Sequence, residues 1–226
     1  MNYKNWIGVM AMAVCATANA TLFQFSSGFA NGGAIPDGNV SGWSDTRTVS
    51  GLDTSISSVS VNLNIAGGYN GDLYGYLSYN GALIPLVNRV GVTAGNPFGS
   101  SGSGFGVTLS DAGATDIHNY GTGFASGTYQ ADGRNIDPAS SPSAFDGASR
   151  LTFAGTFNGM NPNGDWTLFF ADMAGGGGTP TLSSWDLEIT AVPEPVNVAL
   201  GCFAVLFASV QCVRWWKKRA QSVKAA

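Results

Sequence analysis

The sequence predicts an all-β fold, a β-sandwich or jelly roll between an N-terminal signal peptide and one C-terminal transmembrane helix. Three observations carry that prediction. Apolar and polar residues alternate over short runs, clusters of Gly, Asn, Asp and Ser separate the runs, and no stretch between the two chain ends shows a sustained helical stripe. In residues 58–65, Val59, Val61, Leu63 and Ile65 alternate with Ser58, Ser60, Asn62 and Asn64. Residues 73–79 repeat the pattern, Asn80-Gly81 supplies a tight hairpin turn, and residues 83–87 form the returning strand. Further strands are expected at 105–109, 151–157, 166–171 and 182–190. In the last, Trp185, Leu187 and Ile189 face one way, and Asp186, Glu188 and Thr190 the other. The glycine-rich stretches 99–106 and 175–178 read as loops at the ends of the sandwich. No repeat of fixed period is visible, which disfavours a solenoid or propeller.

The two chain ends set the compartment. Lys4 begins a positive region, residues 6–16 are apolar, and Ala18-Asn19-Ala20 is a small-x-small cleavage site before Thr21. Residues 1–20 therefore read as a secretory signal peptide, and 21–190 as the exported domain. Residues 191–195 hold Val192-Pro193-Glu194-Pro195, whose prolines forbid helix continuation and keep the junction extended. The apolar run 196–213 is long enough for a spanning helix, since ~17–25 residues suffice. Residues 214–226 form a basic cytoplasmic tail, with Trp215 and Trp216 suited to the headgroup level and Arg214, Lys217, Lys218 and Arg219 to the cytoplasmic side.

Charge and cysteine use agree with export. Five of the ten basic residues follow the apolar run. Between Thr21 and Thr190, four arginines (Arg47, Arg89, Arg134, Arg150) face thirteen carboxylates, a balance of −9. Such a domain repels phosphates, so nucleic acid and anionic lipid are excluded as partners. Cys15 lies in the signal, and Cys202 and Cys212 in the apolar run. No disulfide framework exists in the exported region despite its oxidising destination, so its core must hold it, with bound calcium as another support.

Two family resemblances follow from particular residues. Tyr69-Asn70-Gly71-Asp72-Leu73-Tyr74-Gly75-Tyr76-Leu77, then Leu86-Val87-Asn88-Arg89-Val90-Gly91 and Val107-Thr108-Leu109-Ser110-Asp111-Ala112, resemble the P domain (P/Homo B) of proprotein convertases. Asn163-Gly164-Asp165-Trp166-Thr167-Leu168-Phe169-Phe170-Ala171-Asp172 and Leu182-Ser183-Ser184-Trp185-Asp186-Leu187-Glu188-Ile189 extend the likeness over residues 55–190. The histidine that often precedes the Gly-Asp-Leu strand is absent, with Gly68-Tyr69-Asn70 there instead. The C-terminal end resembles the PEP-CTERM sorting signal. That resemblance implies an exosortase-like sorting enzyme in the inner membrane of a Gram-negative bacterium that makes exopolysaccharide; the helix is then either removed on sorting or, if the tail is an ordinary single-pass anchor with a proline-rich stalk, kept.

Catalysis is not expected. His118 is the sole histidine, so any Ser-His-Asp set must use it; in Asp116-Ile117-His118-Asn119-Tyr120 it reads as a turn or surface residue. The chain has no Gly-x-Ser-x-Gly elbow and no His-Glu-x-x-His run. In the P-domain resemblance the catalytic residues belong to a preceding domain, so a serine endopeptidase label carries no machinery here. No cofactor is certain. Calcium is the one candidate, because P domains bind it near these loops and calcium takes six to eight oxygen ligands. Asp72, Asp165 and Asp172, within the family motifs, are the first candidate ligands, and Asp132 with Asp137 the alternative pair. Turn capping by these aspartates competes with metal binding. The expected role is binding or structure in the extracellular polysaccharide layer. A carbohydrate- or calcium-dependent adhesion module and an accessory domain docking a separate protease or hydrolase are the alternatives.

Overall fold

The computed structural model describes residues 18–193 and 195–224, which fall into two units, a β domain (Ala18–Val192) and the segment from Pro193 onward. The signal-peptide expectation for residues 1–17 lies outside the described residues.

The β domain holds two sheets. One has the order β1 (Asn19–Phe25), β9 (Thr181–Val192), β3 (Ser55–Ala66), β6 (Phe105–Ser110), β7 (Ala125–Tyr129). The other has the order β2 (Trp43–Val49), β8 (Gly164–Asp172), β4 (Leu73–Tyr79), β5 (Ala82–Asn88). Every pairing is antiparallel except β6 with β7. The alternation read from the sequence selects the inner faces: Val61, Leu63, Ile65, Trp185 and Leu187 from one sheet are buried with Leu73, Leu77, Trp166, Leu168 and Phe170 from the other. The two tryptophans keep their indole N–H groups satisfied, as buried tryptophans must. Trp166 Nε1 donates to Pro162 O at 2.9 Å and its ring stacks on Tyr79. Trp185 Nε1 donates to Asp45 Oδ2 at 2.8 Å, and Arg47 Nε binds the same oxygen at 2.7 Å.

Most of the expected strands form, β4 with the expected bounds and the others extended by one to three residues at one or both ends. Asn80 and Gly81 both have positive φ, as the two-residue hairpin requires. The expected strand at 151–157 does not form. Thr152 instead caps a short helix α1 (Phe153–Phe157), its Oγ1 accepting from Gly155 N at 3.0 Å. Asp111 accepts from Phe153 N and Ala154 N at the same terminus. Phe153 and Phe157 are four apart, one helical turn, and both are buried. Strands β1, β2 and β7 form beyond those expected from the sequence. The inward positions of β2 include Asp45 and Arg47, which hides its alternation, and β7 is a short edge strand with Gly127 in its middle.

The second unit is helix α2 (Pro195–Lys224), longer at its C-terminal end than the expected 196–213. Past Gly201 the sequence has neither glycine nor proline, so nothing stops the helix at the basic cluster; Arg214, Lys217, Lys218 and Arg219 lie on it. Its window Ala199–Trp216 has a mean hydropathy of 1.4 over 18 residues and is unburied. It is the one helix among the described residues long and apolar enough to cross a membrane.

Gly75 on β4 tests the packing on the inner face of the four-stranded sheet, where it is in register with Phe170 of β8. A Cβ there would lie 2.3 Å from Cε1 of the buried Phe170 ring. Gly75→Ala is expected to lower stability by about 1–3 kcal/mol, measured by urea unfolding of the full chain in detergent.

Candidate functional site

Three aspartates gather where β8 leaves its sheet. Leu73 is in register with Asp172, so Asp72, at the end of a 3₁₀ turn (Asn70–Asp72), lies beside the last residue of β8. Asp172 is fully buried; Oδ1 accepts from Ala174 N at 3.2 Å, and Oδ2 has no partner. Asp37, on the loop before β2, accepts from Gly176 N with both oxygens at 3.2 and 3.3 Å. The glycine-rich turn after β8 thus holds the loops of Asp37 and Asp172 together. A Cβ on Gly177 would meet the Tyr69 Cβ at 2.6 Å and lie 3.5 Å from Asp72 Oδ2, so the turn fits closely only as glycine.

Electrostatics mark the same place. Burial raises the Asp72 carboxyl above the ordinary aspartate value, the charges of Asp172 and Asp37 add to that rise, and Arg89 opposes it. Burial also raises Asp172, with Asp37 contributing, against backbone N–H bonds from Ala174 and Gly38. Converging carboxylates and a buried oxygen without a partner suit a cation. Among the described residues no three acidic, His or Cys side chains stand close enough to hold a metal alone. A cation here would complete its shell with backbone carbonyls and water, which calcium accepts and zinc does not.

The structure separates the other expected ligands. Asp165 sits at the opposite end of β8, about 23 Å from Asp172 along the strand. It is exposed and accepts from Thr48 Oγ1 at 2.6 Å. Asp132 and Asp137 do not pair. Asp137 is exposed and caps its own turn through Ala139 N at 2.8 Å. Asp37 is not among the ligands expected from the sequence. Its turn chemistry, Asp-Gly-Asn, was the available signal. In the tail motif, Val192 is the last residue of β9, Pro193 follows it, Glu194 lies outside the described residues, and Pro195 opens α2.

Asp132 belongs to a second, fully partnered cluster. Its Oδ2 meets His118 Nδ1 at 2.7 Å and accepts from Asn88 N at 3.0 Å. Its Oδ1 accepts from Arg134 Nη1 at 3.1 Å. Arg134 also reaches Asp116 Oδ2 at 2.7 Å, and its guanidinium is held above its ordinary value by Asp132 and Asp116 despite burial, the largest influence, which acts the other way. His118 is in a 3₁₀ turn (Ile117–Asn119), as expected, yet buried rather than on the surface. Its Nε2 lies 2.9 Å from Val92 O, and a carbonyl only accepts, so both ring nitrogens are engaged within the fold.

No family model matches the chain, and no curated protein matches it. Among solved structures it is similar to a crystal structure of the serine protease of Aeromonas sobria, at 15% identity and a TM-score of 0.45, over 77% of this chain and 27% of that one. It is also similar to a chain in the crystal structure of the Aeromonas sobria serine protease and chaperone complex, at 14% identity and a TM-score of 0.44, over 78% and 27%. This chain spans about a quarter of the length of those chains.

Two outcomes are expected. His118→Ala leaves buried Asp132 short of a partner and should cost about 3–5 kcal/mol in denaturant unfolding. The raised carboxyls of Asp72 and Asp172 contribute stability that is complete below the unfolded aspartate value and lost as pH rises through the folded values. In chelator, the unfolding midpoint should therefore rise as pH falls from neutral through that window, and Asp172→Asn should flatten part of the rise.

Proposed function

We propose that this chain is a non-catalytic, exported surface protein, a P-domain-like sandwich delivered by an exosortase-like enzyme of the inner membrane to the extracellular polysaccharide layer. The observation that carries this reading is the order of elements after β9. Val192-Pro193-Glu194-Pro195 is followed at once by an apolar helix, which ends in a cluster of arginine and lysine. Proline at the helix start and cations beside the tryptophans are what a single span with a cytoplasmic basic end needs. The acidic, disulfide-free domain before it suits export and a non-nucleic-acid partner. The engagement of both His118 ring nitrogens by Asp132 and Val92 supports a structural rather than a catalytic histidine.

Intact-mass measurement of the protein from cells and from medium tests the sorting. The expected surface form begins at Thr21 and ends near the motif. A surface form that keeps every residue to Ala226 would make the tail an ordinary anchor.

The acidic cluster favours calcium-dependent adhesion as the mode of binding. Asp172 Oδ2 would anchor the ion, with backbone carbonyls and water completing its shell, and the ion's charge would relieve the repulsion from Asp72 and Asp37 and stiffen the glycine turn around them. At calcium a hundredfold above its Kd, stability should rise by about 2.7 kcal/mol, an increase in Tm of roughly 5–10 °C for this size. Asp172→Asn should abolish the shift, and an equal shift in that variant would remove the site.

A further inference from the structure

The two stretches at which this chain would be processed lie at the same end of neighbouring strands, β1 and β9. On one flank of β9, Ala20 pairs with Thr190 and Asn19 with Ala191. On the other, Ile56 pairs with Ala191 and Ser55 with Val192. β9 is therefore an interior strand up to its penultimate residue, and Ala191 is buried. The β3 flank is irregular here: the register shifts between Ile56 and Ser58, leaving Ser57 outside the pairing, with its hydroxyl donating to Thr190 O at 3.1 Å. Val192 is both the last residue of β9 and the first of the sorting motif, and only Pro193 and Glu194 separate it in sequence from the first residue of α2. Two residues span about 7 Å when fully extended. An enzyme that takes its substrate as an extended strand must hydrogen-bond several consecutive backbone groups itself. Up to Ala191 those groups are already engaged by β1 and β3, and at Val192 by β3 alone.

We propose that removal of the signal peptide primes the C-terminal sorting step, an inference that rests on the sorting reading above. Hydrolysis between Ala20 and Thr21 consumes one water, breaks that peptide bond, and leaves a carboxylate on Ala20 and an ammonium on Thr21. Asn19 and Ala20 then leave with the peptide, and Thr190 and Ala191 lose their β1 partners. The end of β9 becomes an edge held by the irregular end of β3 alone. It frays, and the motif gains the unpaired residues that the sorting enzyme needs. The order of the two cuts is thus written into one strand ladder: an uncleaved precursor keeps its tail closed.

Amide hydrogen exchange on the full chain in detergent tests the coupling without any sorting enzyme. Two forms are compared, one retaining the signal peptide and one beginning at Thr21, both ending at Ala226. The amides of Thr190, Ala191 and Val192 should exchange roughly tenfold faster in the second form, the factor expected for losing one or two net backbone hydrogen bonds; equal protection overturns the proposal. In cells, Ala20→Phe, which blocks signal removal, should abolish C-terminal processing. Eight Gly/Ser residues inserted between Val192 and Pro193 should restore it in the same blocked chain. Processing unaffected by Ala20→Phe, or no rescue by the insertion, counts against the coupling. Glu194→Ala in the otherwise natural chain is the control: persistent C-terminal processing there would overturn the sorting reading itself, independently of the exchange result.

Discussion

The pairing of β9 between β1 and β3 is the constraint on which the rest of the domain depends. β9 carries Trp185, Leu187 and Ile189 into the core from the five-stranded sheet, while β8, directly before it in the chain, carries Trp166, Leu168 and Phe170 from the four-stranded one. The connection between them crosses from one sheet to the other, so both inner faces are set by one stretch of sequence. Trp185 reaches back to Asp45 on β2, and Arg47 binds the same carboxylate while lying over Phe25 and Phe29. With no cysteine in the domain, this ladder and the apolar layer beneath it hold the fold without disulfides.

Two fully buried aspartates show how differently the fold treats the same side chain. Asp132 receives a histidine, an arginine and a backbone N–H, so its charge is matched within the protein and ties together the segments of Val92, His118 and Arg134. Asp172 receives backbone N–H groups on one side, faces two further carboxylates on the other, and leaves one oxygen without a partner. Burial disfavours a charge in both places. Only at Asp132 does the chain supply the compensation. A fold that is otherwise economical with charged residues leaves that deficit beside two further carboxylates, Asp37 and Asp72.

The strands with strict alternation were legible because one wet face and one dry face impose a period of two. Val59 to Ile65 and Trp185 to Ile189 needed nothing else. The failures have equally local causes. Phe153 and Phe157 repeat at four rather than two, and the cap at Thr152 with Asp111 lies partly outside the window in which they were read. Asp45 and Arg47 broke the pattern of β2 because their partners, Trp185 and Phe25, come from other strands. The candidate site was half legible. Asp72 and Asp172 stood in recognisable motifs, but Asp165 shares a strand with Asp172 and so had to fall at its far end, while Asp37 enters from a loop some 130 residues away in sequence, a proximity no single sequence displays.

The geography of β9 keeps two roles apart. Its first residues, at the Thr181 end, adjoin the turn that gathers Asp37, Asp72 and Asp172; its last, Val192, begins the Val-Pro-Glu-Pro run. Twelve residues of strand separate these ends, about 36 Å. A ligand bound at the acidic end touches none of the residues paired with Asn19, Ala20, Ser55 or Ile56. Fraying at Val192 removes pairs that contribute nothing to the glycine turn.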